Sequence, residues 1–148
     1  MNYYEIHMDL FYFYEKNKYF NLVQCISSDY EMGAGISVDF NKYFNCKNIV
    51  RKNCIPYWNK KGRILPLIDL NIPVINLVTK QYYFNKPTYK NLTEALVELK
   101  KFVIERGIKY IAMPKIGCGI DKLNWDKVKQ IISDIFEDIE ITITVCYK

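Results

Sequence analysis

The sequence predicts an α/β fold in which strands and helices alternate around a largely parallel or mixed sheet. Two observations support this fold class. Short apolar runs typical of buried strands, such as 21–26 and 110–113, alternate with longer stretches whose apolar residues recur at helical spacing. The connections between these stretches are short, and no repeat or linker interrupts them. We therefore expect the 148 residues to form one domain, 1–148.

The first half of the chain is expected to contain two strands and two helices. The strands cover 3–8 and 21–26, and we assign the aromatic run at 11–14 between them to packing. Apolar residues at helical spacing within 36–44 predict a helix that begins at the preceding glycines. A short helix at 47–57, ended by a proline, follows.

The second half is expected to add four strands and two helices. The strands cover 63–67, 73–78, 110–113 and 141–147. The first helix has Thr88 as its N-cap and ends at Gly107, since hydroxyl side chains and glycines are typical of these two helix ends. The second helix follows Asn124, whose side chain is expected to cap it.

Charge and composition narrow the classes of function. The formal net charge of +5 is compatible with an anionic ligand or a nucleic acid, but it identifies neither. The beginning of the chain lacks the basic and apolar regions of a signal peptide, and no apolar run approaches the roughly 20 residues that a membrane span needs. We therefore expect no membrane partner and a cytoplasmic location, or a nuclear one in a eukaryote.

The cysteines and the single histidine do not suggest a metal site. Five cysteines without a C-x-x-C pair are typical of reduced thiols in a cytosolic compartment. No group of residues has the spacing of a zinc site. His7, the only histidine, lies in a predicted strand, where we expect a structural role. No metal and no cofactor are therefore expected.

Polar and glycine-containing loops follow several predicted strands. The loop at 113–121, Met-Pro-Lys-Ile-Gly-Cys-Gly-Ile-Asp, connects a strand to a helix, and 32–36, Met-Gly-Ala-Gly-Ile, is a second loop before a helix. Glycines let the backbone approach a ligand, and N–H groups near a helix N-terminus favour an anion such as phosphate. Either loop alone is also compatible with an ordinary turn. Together with Asp9 and Lys80, which also follow strands, the loops predict a ligand site at the carboxyl edge of the sheet.

Four segments, taken in order, resemble the macrodomain family. They are 27–36 (Ser-Ser-Asp-Tyr-Glu-Met-Gly-Ala-Gly-Ile), 78–80 (Val-Thr-Lys), 86–92 (Lys-Pro-Thr-Tyr-Lys-Asn-Leu) and 113–125, which contains the longer glycine loop. The resemblance extends over 9–147 and is to the branch typified by the terminal ADP-ribose protein glycohydrolase, also described as an O-acetyl-ADP-ribose deacetylase. It implies a three-layer α/β/α domain that binds ADP-ribose in a cleft.

The resemblance also implies which residues contact ADP-ribose. Asp9 is expected at the adenine end with Leu10 beside it, Ser27 at the distal ribose, and the two glycine loops around the pyrophosphate. The expected contacts in full are Asp9, Leu10, Ser27, Met32, Gly33, Ala34, Gly35, Ile36, Thr79, Pro114, Lys115, Ile116, Gly117, Cys118, Gly119 and Ile120. The family often has glycine where this chain has Met8, and the Asn-Ala-x-Asn run of the other large hydrolytic branch is absent. The mechanism of that branch is therefore not transferred.

Lys80 and Asp121 match the catalytic residues of this branch. The resemblance implies that an unprotonated Lys80 attacks the anomeric carbon of the distal ribose and that Asp121 moves protons as a general acid and base. A carboxylate close to a lysine stabilises its charged form, which opposes attack, and the sequence leaves open how this conflict is resolved. Cys118 lies in the same loop without an evident partner base, so we assign it to packing.

The expected function is removal of mono-ADP-ribose from modified acidic side chains of proteins, with O-acetyl-ADP-ribose as a small substrate. The expected partners are ADP-ribose and ADP-ribosylated proteins, and the expected state is a monomer. Two alternatives stay open: a reader that binds ADP-ribose without catalysis, and a hydrolase of ADP-ribosylated DNA like those of some toxin–antitoxin pairs. A nucleic-acid-binding module without catalysis is a weaker alternative.

Overall fold

The computed structural model describes residues 1–148 and contains six strands and five α-helices. The strands are β1 (Asn2–His7), β2 (Asn21–Ser27), β3 (Arg63–Pro66), β4 (Val74–Lys80), β5 (Tyr110–Met113) and β6 (Thr142–Tyr147). The helices are α1 (Leu10–Lys16), α2 (Ile36–Phe44), α3 (Cys46–Asn53), α4 (Tyr89–Arg106) and α5 (Trp125–Phe136). The expected alternation of strands and helices is confirmed.

All six strands form one sheet in the order β1-β6-β5-β2-β4-β3. Every neighbouring pair is parallel except β3 and β4, which are antiparallel and place β3 at one edge. The sheet is therefore mixed and largely parallel, as expected. Parallel pairing brings the carboxyl ends of β2, β4, β5 and β6 to the same side, which is where ligands bind in open α/β sheets.

Helices cover both faces of the sheet, and side chains that alternate along each strand supply both interfaces. Leu22 and Val23 are neighbours in β2, yet they are buried in different apolar clusters. Val23 belongs to the cluster that contains the buried faces of α4 and α5. Leu22 packs in the cluster with α1, α2 and α3. The fold is thus a three-layer α/β/α arrangement, as the resemblance implied.

The aromatic run at 11–14 lies in a helix that the sequence pattern did not predict. Asp9 caps this helix, α1, because its Oδ2 accepts hydrogen bonds from the N–H groups of Phe11 and Tyr12 at 3.1 and 3.0 Å. Phe11 and Phe13 are buried, so the expected packing is confirmed for these two, whereas Tyr12 is 55% exposed. The helix has only seven residues, and this length is too short to reveal a helical period in the sequence.

The predicted ends of α4 and the predicted start of α5 are confirmed. The short helix expected at 47–57 is α3, which ends at Asn53 with Cys54 already extended, so it stops before the proline. Oγ1 of Thr88 accepts a hydrogen bond from the N–H of Asn91 at 3.0 Å, and Asn124 caps α5 through the N–H of Lys127 at 3.2 Å. Gly107 ends α4 with a φ of 65°. None of the helices combines the length and the apolar character that crossing a membrane requires.

Candidate active site at the carboxyl edge of the sheet

A cavity of about 380 Å³ lies at the carboxyl edge of the sheet, between two loops. Ser27 and Lys80, the last residues of β2 and β4, line it from the sheet. One wall is 32–36, before α2, and the other consists of 114–117 and 119–121, after β5. The structure therefore brings the two glycine loops together with Lys80 and the carboxylate at the end of the second loop.

Lys80 and Asp121 are in direct contact. Nζ of Lys80 donates a hydrogen bond of 2.6 Å to Oδ1 of Asp121, and both residues line the cavity. Their side chains are 12% and 16% exposed, so little water screens the pair. One proton transfer along this bond would produce a neutral amine, which can act as a nucleophile, beside a carboxylic acid.

Two glycines shape the walls of the cavity. Gly35 has a φ of 62°, and a Cβ there would lie 3.2 Å from Cδ1 of Ile120 on the opposite wall. Gly117 has a φ of 73°, and a Cβ there would lie 2.9 Å from Cδ1 of Leu123. Both positions need glycine for conformation and for space. Gly119 is different: it has no positive φ, and no atom lies within 4 Å of a Cβ built there, so its small size leaves open space beside the cavity.

Two residues before α2 have positive φ although they are not glycine. Tyr30 has a φ of 56° and Met32 a φ of 45°, a left-handed conformation that costs such residues about 1–2 kcal/mol. Hydrogen bonds hold this backbone: the carbonyl of Tyr30 accepts from Nε of Arg51, and that of Met32 accepts from Nδ2 of Asn41 at 2.7 Å. Backbone strain of this kind concentrates at functional sites, and here it shapes the wall at 32–36.

A second cavity of about 350 Å³ adjoins the first, and Ile36 and Lys115 line both. Asp9 and Leu10 line the second cavity, where the resemblance had placed the adenine end. Oδ1 of Asp9 accepts a hydrogen bond of 2.8 Å from Nζ of Lys148. Burial alone would raise the pKa of Asp9, but this bond and those from the α1 backbone hold the pKa below its usual value. A charged carboxylate therefore faces the second cavity.

Asp29, which the sequence analysis did not single out, organises the loops around Ser27. Its Oδ1 accepts hydrogen bonds from the hydroxyl of Ser27 and the N–H of Glu31, and its Oδ2 accepts one from the N–H of Tyr83. Burial alone would raise the pKa of Asp29, but these hydrogen bonds hold the pKa below its usual value. Glu31 and Tyr83 line the first cavity. A serine-aspartate turn after a strand is common, so the sequence carried little signal of this role.

Thr79 and Cys118, which were expected to contact ADP-ribose, do not line the first cavity. Thr79 is buried and lines neither cavity, because the pairing of β2 with β4 shifts at Ser27, which pairs with Lys80 and skips Thr79. The structure gives no support to its expected contact with ADP-ribose. Cys118 lines only the second cavity, and its thiol donates to the carbonyl of Ile116. Burial raises the pKa of Cys118 to about 11, which agrees with its assignment to packing.

Residues that carried no recognisable motif also line the first cavity, among them Cys25, Ile26 and Ser37. Burial raises the pKa of Cys25 to about 12, so its thiol is neutral near pH 7 and a poor nucleophile. The only histidine, His7, stacks on Tyr147 with ring centroids 5.3 Å apart and lines neither cavity. No group of three or more His, Cys, Asp or Glu side chains is placed to hold a metal ion.

Comparison with known proteins places these features in a family. The family described as Macro domain matches residues 23–132. A Bos taurus protein named ADP-ribose glycohydrolase OARD1 is 38% identical over 125 residues, which are 84% of this chain and 80% of that protein. A Thermus aquaticus protein named DNA ADP-ribosyl glycohydrolase is 29% identical over 126 residues, covering 80% of this chain and 34% of that protein.

Among solved structures, Thermosipho africanus DarTG in complex with ADP-ribose matches with a TM-score of 0.75. The match covers 99% of this chain and 41% of that chain at 19% identity, so it supports the fold alone. The segment that matches the family contains both glycine loops together with Lys80 and Asp121. The family match and the bovine relative show that this chain belongs to the macro domain family.

Proposed function

We propose that this chain is an ADP-ribosyl hydrolase, which releases ADP-ribose from a carrier with Lys80 as nucleophile and Asp121 as general acid and base. The observation that carries the proposal is the 2.6 Å hydrogen bond between these side chains inside the cavity. A reader that only binds ADP-ribose needs the glycine loops and Asp9, but it does not need this pair. The names of the bovine and bacterial relatives, both glycohydrolases, add support.

The two adjoining cavities, of about 380 and 350 Å³, suit an elongated ligand such as ADP-ribose. In the proposed pose, adenine occupies the second cavity beside Asp9. The pyrophosphate lies between the two glycine loops, where backbone N–H groups and Lys115 attract negative charge. The distal ribose then reaches Ser27 and Lys80, and its anomeric carbon lies beside the catalytic pair.

The proposed reaction has two displacement steps. In the first, Asp121 takes a proton from Lys80, the neutral Nζ attacks the anomeric carbon, and the carrier leaves with the bonding electrons and receives the proton from Asp121. In the second, Asp121 takes a proton from water, whose oxygen attacks the same carbon. The bond to Nζ breaks, and Asp121 returns the proton to Lys80. The products are the free carrier and ADP-ribose.

The proposed carriers are modified acidic side chains of proteins, because a carboxylate is a good leaving group, and O-acetyl-ADP-ribose is a small ester substrate. DNA is a second candidate carrier. The Thermus aquaticus relative is named a DNA ADP-ribosyl glycohydrolase, and a formal net charge of +5 favours a polyanionic partner.

A direct test offers the protein four substrates: glutamate-linked, serine-linked and thymidine-linked ADP-ribose, and O-acetyl-ADP-ribose. Chromatography then measures free ADP-ribose, with the Lys80→Ala protein as the control. Release by the wild-type protein and none by Lys80→Ala is the expected result. Tight binding of ADP-ribose without release from any of the four substrates would identify a reader and overturn the proposal.

A further inference from the structure

Three consecutive aromatic residues, Tyr82, Tyr83 and Phe84, form an exposed surface at the mouth of the first cavity, which we call the aromatic rim. Their exposed fractions are 44%, 59% and 70%. The rings of Tyr82 and Phe84 are nearly parallel, with an interplanar angle of 8° and centroids 5.4 Å apart. Single exposed aromatic rings are common on this protein, but contiguous exposed apolar patches mark interaction sites. Three adjacent exposed rings therefore require an explanation beyond packing.

The aromatic rim is held at a fixed place beside the proposed catalytic pair. Tyr83 lines the first cavity, as Lys80 does, and its N–H donates to Asp29 at 3.0 Å. The carbonyls of Lys80 and Gln81 accept hydrogen bonds from the N–H and the hydroxyl of Ser28. The N–H of Tyr82 donates within its own turn. These bonds occupy most of the backbone groups that 81–83 would offer to an extended peptide. The exposed rings remain as the main recognition elements.

The charges near the aromatic rim favour an anionic partner. Two carboxylates beside the first cavity are already occupied, since Asp29 accepts three hydrogen bonds and Glu31 pairs with Arg51 at 3.3 Å. Lys86, in the same loop, and Lys122, next to the catalytic aspartate, form no ion pair. Exposed aromatic rings next to free lysines are the combination that binds unpaired bases and the phosphates between them.

We propose that the aromatic rim is a stacking surface for unpaired nucleobases, which holds single-stranded nucleic acid beside the mouth of the cavity. Its use in catalysis rests on the proposed hydrolase function, for which it would present a modified base to Lys80. Its use in binding does not depend on catalysis. An acidic peptide is the competing occupant, and the experiment below decides between the two.

The test measures fluorescence anisotropy of a short, labelled, unmodified single-stranded DNA. The double variant Tyr82→Ala/Phe84→Ala removes two exposed rings without touching the backbone hydrogen bonds. Tyr19→Ala is the matched control, because Tyr19 is 62% exposed and precedes β2 at the opposite side of the sheet. We expect the double variant to bind about ten-fold more weakly than the wild-type protein and the control to bind normally. Equal affinity of all three proteins, or tighter binding of an acidic peptide or of duplex DNA, would overturn the proposal.

A second measurement separates this proposal from the hydrolase function. Neither Tyr82 nor Phe84 lines either of the two site cavities, so the double variant should hydrolyse O-acetyl-ADP-ribose at the wild-type rate. Normal hydrolysis without any loss of DNA binding refutes the aromatic rim and leaves the hydrolase intact. The wild-type protein could instead hydrolyse none of the substrates while the double variant loses DNA binding. That result would refute the hydrolase function and support the aromatic rim.

Discussion

Oδ2 of Asp29 accepts a hydrogen bond of 3.0 Å from the backbone N–H of Tyr83, and this bond joins the loop after β2 to the loop after β4. The other carboxylate oxygen of Asp29 holds the hydroxyl of Ser27, which pairs in register with Lys80. A single half-buried carboxylate therefore connects the strand of the proposed nucleophile, the expected ribose contact and the aromatic rim. The position of all three depends on one acceptor group.

Replacing Asp29 with Asn should separate the two loops. An amide keeps one acceptor oxygen for Ser27 but presents an NH₂ group to the N–H of Tyr83, which then lacks a partner. We expect the free energy of unfolding to fall by about 1–2 kcal/mol, measured by urea denaturation. The control is Asp134→Asn on α5, where the aspartate is exposed and accepts only from Gln130. An equal loss in both variants would contradict this role for Asp29.

The stabilising effect of Asp29 should depend on pH, and the same variant measures this dependence. The pKa of Asp29 is held below its usual value, so its contribution to stability is fully present above the unfolded-state pKa of about 3.9. The contribution is lost as pH falls through the lower folded-state value. The difference in unfolding free energy between the wild-type protein and Asp29→Asn should therefore shrink below about pH 4. A difference that stays constant from neutral to acidic pH would show that the charge of Asp29 is not involved.

Two glycines of one loop should respond differently to a methyl group. Gly117→Ala is strained and brings Cβ to 2.9 Å from Leu123, so it should destabilise the fold by about 1–2 kcal/mol. In Gly119→Ala the added methyl group meets no protein atom within 4 Å, so the stability of the protein should stay normal. The methyl group would occupy space beside the cavity, so ADP-ribose should bind more weakly. Gly107→Ala, at the end of α4, is the control, because it has a positive φ. It should lower stability without changing the affinity for ADP-ribose. Calorimetric titration with ADP-ribose and thermal unfolding measure both quantities. Normal ADP-ribose affinity in Gly119→Ala would contradict the placement of the ligand.

We expect Lys148 to compete with a ligand for Asp9. Its Nζ donates to Oδ1 of Asp9 at 2.8 Å, yet its side chain is 72% exposed. Lys148→Ala should leave the thermal midpoint almost unchanged, because exposed ion pairs contribute little. It should bind ADP-ribose several-fold more tightly, because a carboxylate oxygen becomes free for the adenine end. Lys18→Ala, which breaks the exposed pair with Glu15, is the control. Weaker binding by Lys148→Ala would mean that this lysine itself holds the ligand.

Lys80→Ala should abolish turnover while ADP-ribose still binds, since the side chain supplies the nucleophile but not the phosphate contacts. The control is Lys100→Ala, which breaks an ion pair with Asp138 of similar length, 2.7 Å, away from both cavities. Release of ADP-ribose and its binding are measured on the same preparations. Equal loss of binding and turnover in Lys80→Ala would assign the lysine to ligand binding alone.

Local patterns made much of the fold predictable. The strand at 110–113 and the caps at Thr88 and Asn124 depend on neighbouring residues, and the structure has them as the sequence predicted. The helix at 11–14 was missed because seven residues hold too few turns to show a period.

The candidate site was predictable only in part, and for a different reason. The family resemblance supplied Lys80, Asp121 and both loops, which lie together as expected. The bond between Asp29 and Tyr83 joins residues far apart in the chain and follows no periodic pattern. The exclusion of Thr79 depends on an irregularity in strand pairing. Such long-range geometry leaves no local signal in a single sequence.

Mass spectrometry of the Asp121→Ala protein tests whether Lys80 forms a covalent bond to the distal ribose. In this variant the first displacement lacks the carboxylate that takes a proton from Lys80, and alkaline pH replaces it. The second displacement still lacks the carboxylate that takes a proton from water. After incubation with glutamate-linked ADP-ribose, we expect the protein to gain one ADP-ribose, mapped to the peptide that contains Lys80 and absent in Lys80→Ala/Asp121→Ala. Attachment to another residue, or full turnover by Lys80→Ala, would contradict the proposed covalent bond.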